Sequence, residues 1–208
     1  MILPLPPAPR TQVLAGYAIF VALAFGLRIA VHLRRTGTTG FIGLSRDAGV
    51  LDVTVGALFV LALVAGALAP GLQLAGLVRP WGVLDTAAVR VAAVGLYGAG
   101  LAGTLWAQFA MGDAWRIGVR ETERTALVAG GPFRWVRNPI YSSMLLVALG
   151  LALAAPNVLS ALALVALLIA LELQVRLVEE PYLTRVHGTS YRDYASRTGR
   201  FVPGWGRL

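Results

Sequence analysis

The 208-residue chain has no cysteine, no lysine and only two histidines, His32 and His187. Without cysteine there can be no disulfide, no thiolate nucleophile and no cysteine-ligated metal. Two histidines so far apart in sequence do not make a zinc set, so no metal is expected. Charge is also scarce, at 13% of residues, yet the balance is strongly basic: eighteen arginines oppose ten acidic groups, for a net charge of +8. A basic balance raises the question of nucleic acid, but these arginines stand in loops beside apolar blocks. The positive-inside bias of membrane proteins accounts for them there, and no nucleic-acid partner is expected. There is also no polar stretch long enough to fold alone and no charged or serine-rich linker, so residues 1–208 read as one membrane domain. Within it, 11–110 hold three spans and 111–208 the chemistry.

What is present is apolar sequence, 57% of residues at a mean hydropathy of +0.72, arranged in blocks of membrane-spanning length. The expected fold class is all-α: a polytopic membrane helix bundle of about five spans, at 11–33, 49–69, 86–110, 139–155 and 157–173. The opening MILPLPPAPR carries four prolines and resembles neither a basic leader nor a cleavage site, so the first block is expected to be retained as a span. Arg28 and His32, near the end of that span, read as snorkelling interface residues. Asp52 reads as an interfacial or N-cap residue, Pro70 as the stop of the second span, and Trp81 as an interface anchor. In the third block, Gly98, Gly100 and Gly103 literally match G-x-G-x-x-G, but they lie mid-span with no preceding strand, so the dinucleotide reading is rejected. Gly95, Ala99, Gly103 and Ala107 instead form a small-residue stripe suited to close helix packing.

The segment 111–141 is the longest polar connection. It carries Arg116, Arg120, Arg124, Arg134 and Arg137, and its WRIGV and TALVAG runs suggest a short two-stranded ribbon around RETER. Next come two apolar arms of equal length, separated by Pro156-Asn157, a helix breaker followed by a good N-cap. The expectation is an antiparallel helical hairpin. The second arm leads into LELQVRLVEEP at 171–181. At about 100° per residue, Glu172, Arg176, Glu179 and Glu180 share one helix face, and the hairpin should bring Arg137 within about 10 Å of it. Residues 180–208 read as a surface helix interrupted at Gly188, with Phe201 and Trp205 as interfacial anchors. Arginines concentrate on the side that holds the loop after span one, 111–141 and the C-terminus, which predicts that this side is cytoplasmic and the N-terminus outside.

Arginines, paired glutamates and tyrosines at one membrane edge suit a reaction whose partners arrive already activated. Arginine clamps carboxylates or phosphates, and glutamate accepts from a ribose diol or an amine. Adjacent carboxylates on a helix do not flank a bond from two sides, which argues against glycoside hydrolysis. The competing reading is that Arg137 and the glutamate pair only neutralise one another.

GGPFRWVRNPIY, the hairpin and VEEPYLTRVHGTSYRDYASRTGRFVP together resemble the signature of the isoprenylcysteine carboxyl methyltransferase and phospholipid methyltransferase families. That signature is an Arg-His-Pro-x-Tyr segment, a hydrophobic hairpin, then Glu-Glu and a Gly-x-x-Tyr-x-x-Tyr tail. The resemblance implies an integral membrane methyltransferase that uses S-adenosylmethionine at the cytoplasmic face of a bacterial inner membrane. A lipophilic small-molecule or lipid acceptor would enter from the bilayer, among membrane lipids. Arg137, Pro139 and Tyr141 match the first motif, Glu179 and Glu180 the pair, and Gly188, Tyr191 and Tyr194 the tail. Asn138 stands where the family has histidine; it can donate but cannot carry a proton.

On this reading Arg137 and Glu180 are catalytic, with Arg137 holding an acceptor carboxylate. Arg134, Asn138, Pro139, Tyr141, Glu179, Tyr182, Tyr191 and Tyr194 hold the cofactor, and Trp115, Arg116, Glu172 and Arg176 meet the acceptor. The acceptor that the resemblance implies first is the carboxylate of an isoprenylcysteine-like molecule, with an amine or hydroxyl as the alternatives; for those two, Glu180 or Glu179 would be the nearby base. Two alternatives remain: a membrane sterol-type reductase using NADPH, which shares a related Arg-His-x-x-Tyr segment, and a non-catalytic small-molecule transporter, whose usual internal repeats are missing.

Overall fold

The computed structural model describes residues 10–39, 50–115 and 126–208, and among these it contains helices and no strand. The helices are α1 Arg10–Val21, α2 Arg28–Thr36, α3 Val50–Leu74, α4 Ala87–Met111, α5 Pro139–Ala154, α6 Val158–Leu173, α7 Glu180–His187 and α8 Thr189–Arg197. A π-helical turn at Ala22–Leu27 joins α1 to α2, and another at Gln174–Glu179 joins α6 to α7, so each pair runs as one long helix. Four helical stretches are long and apolar enough to cross a membrane: Thr11–Thr36, Val53–Leu74, Ala87–Ala114 and Val158–His187. α5 is the short one. Its 16 residues rise about 24 Å, less than a full hydrocarbon core. The expected integral membrane bundle is thus present, with one of its five apolar helices below spanning length.

Several helix boundaries follow local chemistry. The Thr86 hydroxyl accepts from the Val89 amide at 3.2 Å and caps α4. The Asn157 side chain accepts from the Ser160 amide at 2.9 Å and caps α6, as the Pro156-Asn157 break predicts. The Asn157 amide also donates to Gln73 Oε1 at 2.6 Å, and the Trp81 amide donates to the Pro156 carbonyl at 2.7 Å, which ties the hairpin tip to the α3–α4 connection. Pro70 does not end its helix: α3 continues through it to Leu74. One missing hydrogen bond costs less in hydrocarbon than the several unpaired groups that an early helix end would expose.

α4 packs along α5, and the contact is made by small residues, though not by the whole predicted stripe. The buried positions of α4 are Ala93, Gly100, Thr104, Ala107 and Gln108, whereas Gly95 and Ala99 are exposed. A Cβ at Gly100 would lie 2.6 Å from the Val147 amide nitrogen and 2.7 Å from the Ser143 carbonyl oxygen. One at Gly150 would lie 2.7 Å from the Ala93 oxygen. With Tyr97 included, the facing positions are spaced alternately four and three, the spacing of a helix seam, rather than every four.

One further expectation changes. Arg28 and His32 do not snorkel; they are 1% and 5% exposed. The C-terminal α7 and α8, parted at Gly188, which has φ 58°, form the expected surface helix with one face turned inward: Tyr182, Tyr191 and Ala195 are buried together with Glu180, whereas Arg185, Arg192, Asp193 and Arg197 are exposed. Of the expected ribbon around RETER, residues 116–125, with Arg116, Arg120 and Arg124, fall outside the described residues, and the rest of its second run, 126–130, is not a strand; the Asp52 side chain also falls outside them.

Candidate active site

The site forms where the start of α5, the α6–α7 helix and the C-terminal tail meet. Residues just before α5 pair with the tail: the Arg137 amide donates to the Gly199 carbonyl at 2.8 Å and the Asn138 amide to the Arg200 carbonyl at 3.1 Å. The Asn138 side chain repeats the second bond at 3.2 Å. The tail then folds on itself, Arg200 N to Trp205 O at 2.7 Å and Trp205 N to Val202 O at 3.0 Å. A Cβ at position 199 would stand 2.0 Å from the Val202 oxygen, so only glycine permits this turn.

This pairing brings Arg137 into the centre of the network. Its Nη1 donates to the Ala195 and Thr198 carbonyls at 2.9 and 2.5 Å, at the exit of α8, where a cation meets the negative end of the helix dipole. Its Nη2 donates to Glu180 Oε1 at 2.7 Å and to the Gly206 carbonyl at 2.8 Å. The side chain is 2% exposed. Arg200 takes Glu180 from the other side, Nε to Oε1 at 2.8 Å and Nη2 to Oε2 at 3.0 Å, a bidentate fork. Those bonds hold the Arg200 guanidinium above its ordinary pKa. Arg200 Nη1 also lies 3.8 Å from Glu172, which is bonded at 2.5 Å to the half-exposed Arg176. Glu180 is thus a buried carboxylate gripped by two arginines, and both of its oxygens are engaged.

Glu179, its neighbour in sequence, goes elsewhere. Its Oε1 accepts from the Tyr141 hydroxyl at 2.5 Å and from the Gln174 amide at 3.5 Å. Oε2 has no partner among the described residues. The single predicted stripe is therefore divided by the π turn, whose wider i→i+5 geometry changes the phase of the helix. Glu172 and Arg176 lie before it or within it, and the two glutamates leave it facing different partners. Glu179 and Tyr141 are half-buried.

The other expected residues are placed as follows. Tyr182 and Tyr191 are buried, and burial pushes the Tyr191 phenol up to about 12. The Tyr194 hydroxyl donates to the Phe133 carbonyl at 2.6 Å, which ties α8 to the segment before α5. Pro139 opens α5. Arg134 is exposed and lies 4.5 Å over the Trp135 ring. Trp115 contacts Arg28 and His32, not this network, and Arg116 is not among the described residues. Sequence reasoning missed Arg200. It stands twenty residues beyond Glu180 in a short glycine-containing tail, and no periodicity links the two; only the turn at Gly199 does. Among the described residues, no group of three histidine, aspartate or glutamate side chains could hold a metal.

The helices and motifs of this region find their counterpart in known proteins. Residues 89–190 match the phospholipid methyltransferase family. The match spans α4, the hairpin, Glu179, Glu180 and the start of α8, and it bears out the resemblance read from the motifs. By structure, the chain is similar to the eukaryotic intramembrane Ras methyltransferase, isoprenylcysteine carboxyl methyltransferase, with a TM-score of 0.62 at 19% identity. That similarity covers 99% of this chain and 71% of the other and extends the shared fold to the N-terminal spans. No curated protein matches by sequence. The site described above therefore lies mostly within the segment that matches the phospholipid methyltransferase family, with Arg200 beyond it, on a polytopic fold similar to that of the solved structure.

Proposed function

We propose that this chain transfers a methyl group from S-adenosylmethionine to a lipophilic acceptor that arrives from the bilayer, at the cytoplasmic membrane face. The observation that carries the reading is the division of labour between adjacent carboxylates. Glu180 is consumed by Arg137 and Arg200, while Glu179 keeps a free oxygen beside Tyr141 in a region that matches a methyltransferase family.

The donor set fits such a cofactor. It needs acceptors for hydroxyl and ammonium groups, a cation for its carboxylate and apolar surface for its base. Glu179, the exposed Arg134 and the aromatic surroundings of Tyr141 offer these. When bound, the cofactor supplies an electrophilic sulfonium methyl. Tyr141 fixes the rotamer of Glu179, so that Oε2 is held ready to accept. The Arg137–Glu180–Arg200 core positions the tail against α5 and keeps water out of the joint, and orientation is the main source of rate in a transfer between prepared partners. Because both Nη atoms of Arg137 already serve internal acceptors, its proposed role is positioning. For a carboxylate acceptor, Arg176 beside Glu172 is the outward-facing guanidinium. A carboxylate releases no proton on methylation. An amine or hydroxyl does, and Glu179 Oε2 is the carboxylate oxygen of the pair that is left to take it.

The reading is tested by equilibrium binding of S-adenosylmethionine against NADPH to the purified full chain. Preferential binding of NADPH would replace it with the reductase reading.

A further inference from the structure

A second polar group lies apart from the network around Glu180, where α2 meets the end of α4. On α4, Thr104 and Gln108 are four residues apart on one face, with Gly112 capping the end of the helix, and on α2 Arg28 and His32 are likewise four apart. Arg28 is 1% exposed. Its Nη2 donates to the Gly112 carbonyl, and the guanidinium lies 5.0 Å from the Trp115 ring centre and 5.7 Å from that of Phe109. Among the described residues, the buried Nε and Nη1 of Arg28 have no hydrogen-bond partner, nor do His32 Nδ1, Gln108 Oε1 and Thr104 Oγ1. The Gln108 amide nitrogen is spent on the Ala24 carbonyl of the π turn at 2.7 Å. The carboxylate that faces this group, Asp113, pairs with Arg35 at 3.2 Å, and both side chains are more than half exposed. Two arginines thus share one carboxylate, and the buried one is not the one it binds.

Ring faces offset the charge of a guanidinium above and below its plane but give nothing to its N–H edges. A buried cation with two idle donors calls for an anion whose oxygens lie in that plane. The depth is suitable: along α2 the continuously exposed end begins at Leu33, five residues beyond Arg28, so Arg28 lies roughly 8 Å below the start of that end, at 1.5 Å per residue. That is the zone of lipid headgroups. We propose that Arg28, with His32 Nδ1 as a second donor, forms a binding site for a phosphate-type oxyanion, closed by Trp115. The ring of Trp115, 3% exposed here, is displaced as the anion enters, and charge pairing replaces its contact with the guanidinium. This site is separate from the methyl-transfer site and does not depend on that reading.

The test uses the full chain in a maltoside detergent and phosphate-free buffer. Inorganic phosphate, a short-chain phosphatidylglycerol and an uncharged short-chain monoglyceride are titrated separately, and stoichiometry is read by native mass spectrometry and stability by thermal unfolding. Saturable one-to-one binding of a phosphate-bearing ligand, with none of the monoglyceride, is expected. Binding of phosphatidylglycerol alone identifies a lipid headgroup, and binding of both ligands identifies a general phosphate pocket. Arg28→Met should weaken binding by on the order of tenfold or more, while the exposed Arg197→Met should not. Absence of one-to-one binding in the wild type, or undiminished binding in Arg28→Met, overturns the proposal. The wild-type titration decides alone if Arg28→Met does not fold.

Discussion

Arg200 grips Glu180 with a two-bond fork, Nε to Oε1 at 2.8 Å and Nη2 to Oε2 at 3.0 Å, and both side chains are only 9% exposed. The contact fastens the C-terminal tail to the long α6–α7 helix, and Arg137 fastens the same carboxylate to the start of α5. Removing the shared acceptor should therefore do more damage than removing one donor. Glu180→Gln leaves the buried Arg137 with no carboxylate and Arg200 with only the longer contact to Glu172 at 3.8 Å, and should cost about 3–5 kcal/mol. Arg200→Met leaves Glu180 still paired with Arg137 and should cost less. Thermal unfolding of the three proteins in one detergent checks the order.

Which parts of this were legible in the sequence follows from how local their causes are. The hairpin was, because a proline and an N-capping asparagine act within a few residues, and the Asn157 cap forms as expected. The convergence of Arg137 with the glutamates was legible too, because antiparallel arms of equal length return the chain to its starting level. Arg200 was not, since its place depends on a tail turn allowed only by the missing side chain of Gly199. The separate fates of Glu179 and Glu180 were hidden for another reason: a wheel drawn at constant pitch cannot show a π turn. Arg28 and His32 looked like interface residues because a cationic side chain near a span end is ordinarily solvated, and the aromatic pocket that buries Arg28 is supplied by α4 and Trp115, far away in the chain.

The α4–α5 seam gives a contrast between glycines. Gly100→Ala would set a methyl 2.6 Å from a backbone nitrogen of α5, and backbone cannot step aside. Gly95→Ala meets nothing within 4 Å and gains helix propensity of up to about 1 kcal/mol. The first should destabilise the protein by roughly 1–3 kcal/mol or more, and the second should leave it unchanged or slightly firmer. Unfolding midpoints of both variants decide.

Burial raises the Tyr191 phenol from its ordinary value of 10.0 to about 12. A folded-state pKa above the unfolded one means that the neutral form is favoured by folding. The contribution to stability is fully present below pH 10.0 and is lost as pH rises towards about 12. An alkaline titration should show unfolding in that interval, accompanied by phenolate absorbance, and Tyr191→Phe should reduce the pH-dependence.

Orientation can be read with single cysteines, since the native chain has none. Ser190 is exposed near the start of α8. With the arginine-rich side in the cytoplasm, Ser190→Cys should resist an impermeant thiol reagent in intact cells and react after permeabilisation. Labelling in intact cells would reverse the topology.

The central claim is that Glu179, supported by Tyr141, accepts from S-adenosylmethionine while Glu180 holds the fold. Calorimetric titration of the wild type, Glu179→Gln and Tyr141→Phe with S-adenosylmethionine, with NADPH as the competing ligand, tests it most directly. Wild type should bind S-adenosylmethionine and not NADPH. Glu179→Gln should lose a charge-assisted bond worth about 1.5–3 kcal/mol, on the order of 10- to 100-fold in affinity, without loss of thermal stability. Undiminished S-adenosylmethionine affinity in a folded Glu179→Gln protein, or preference of the wild type for NADPH, would contradict the account.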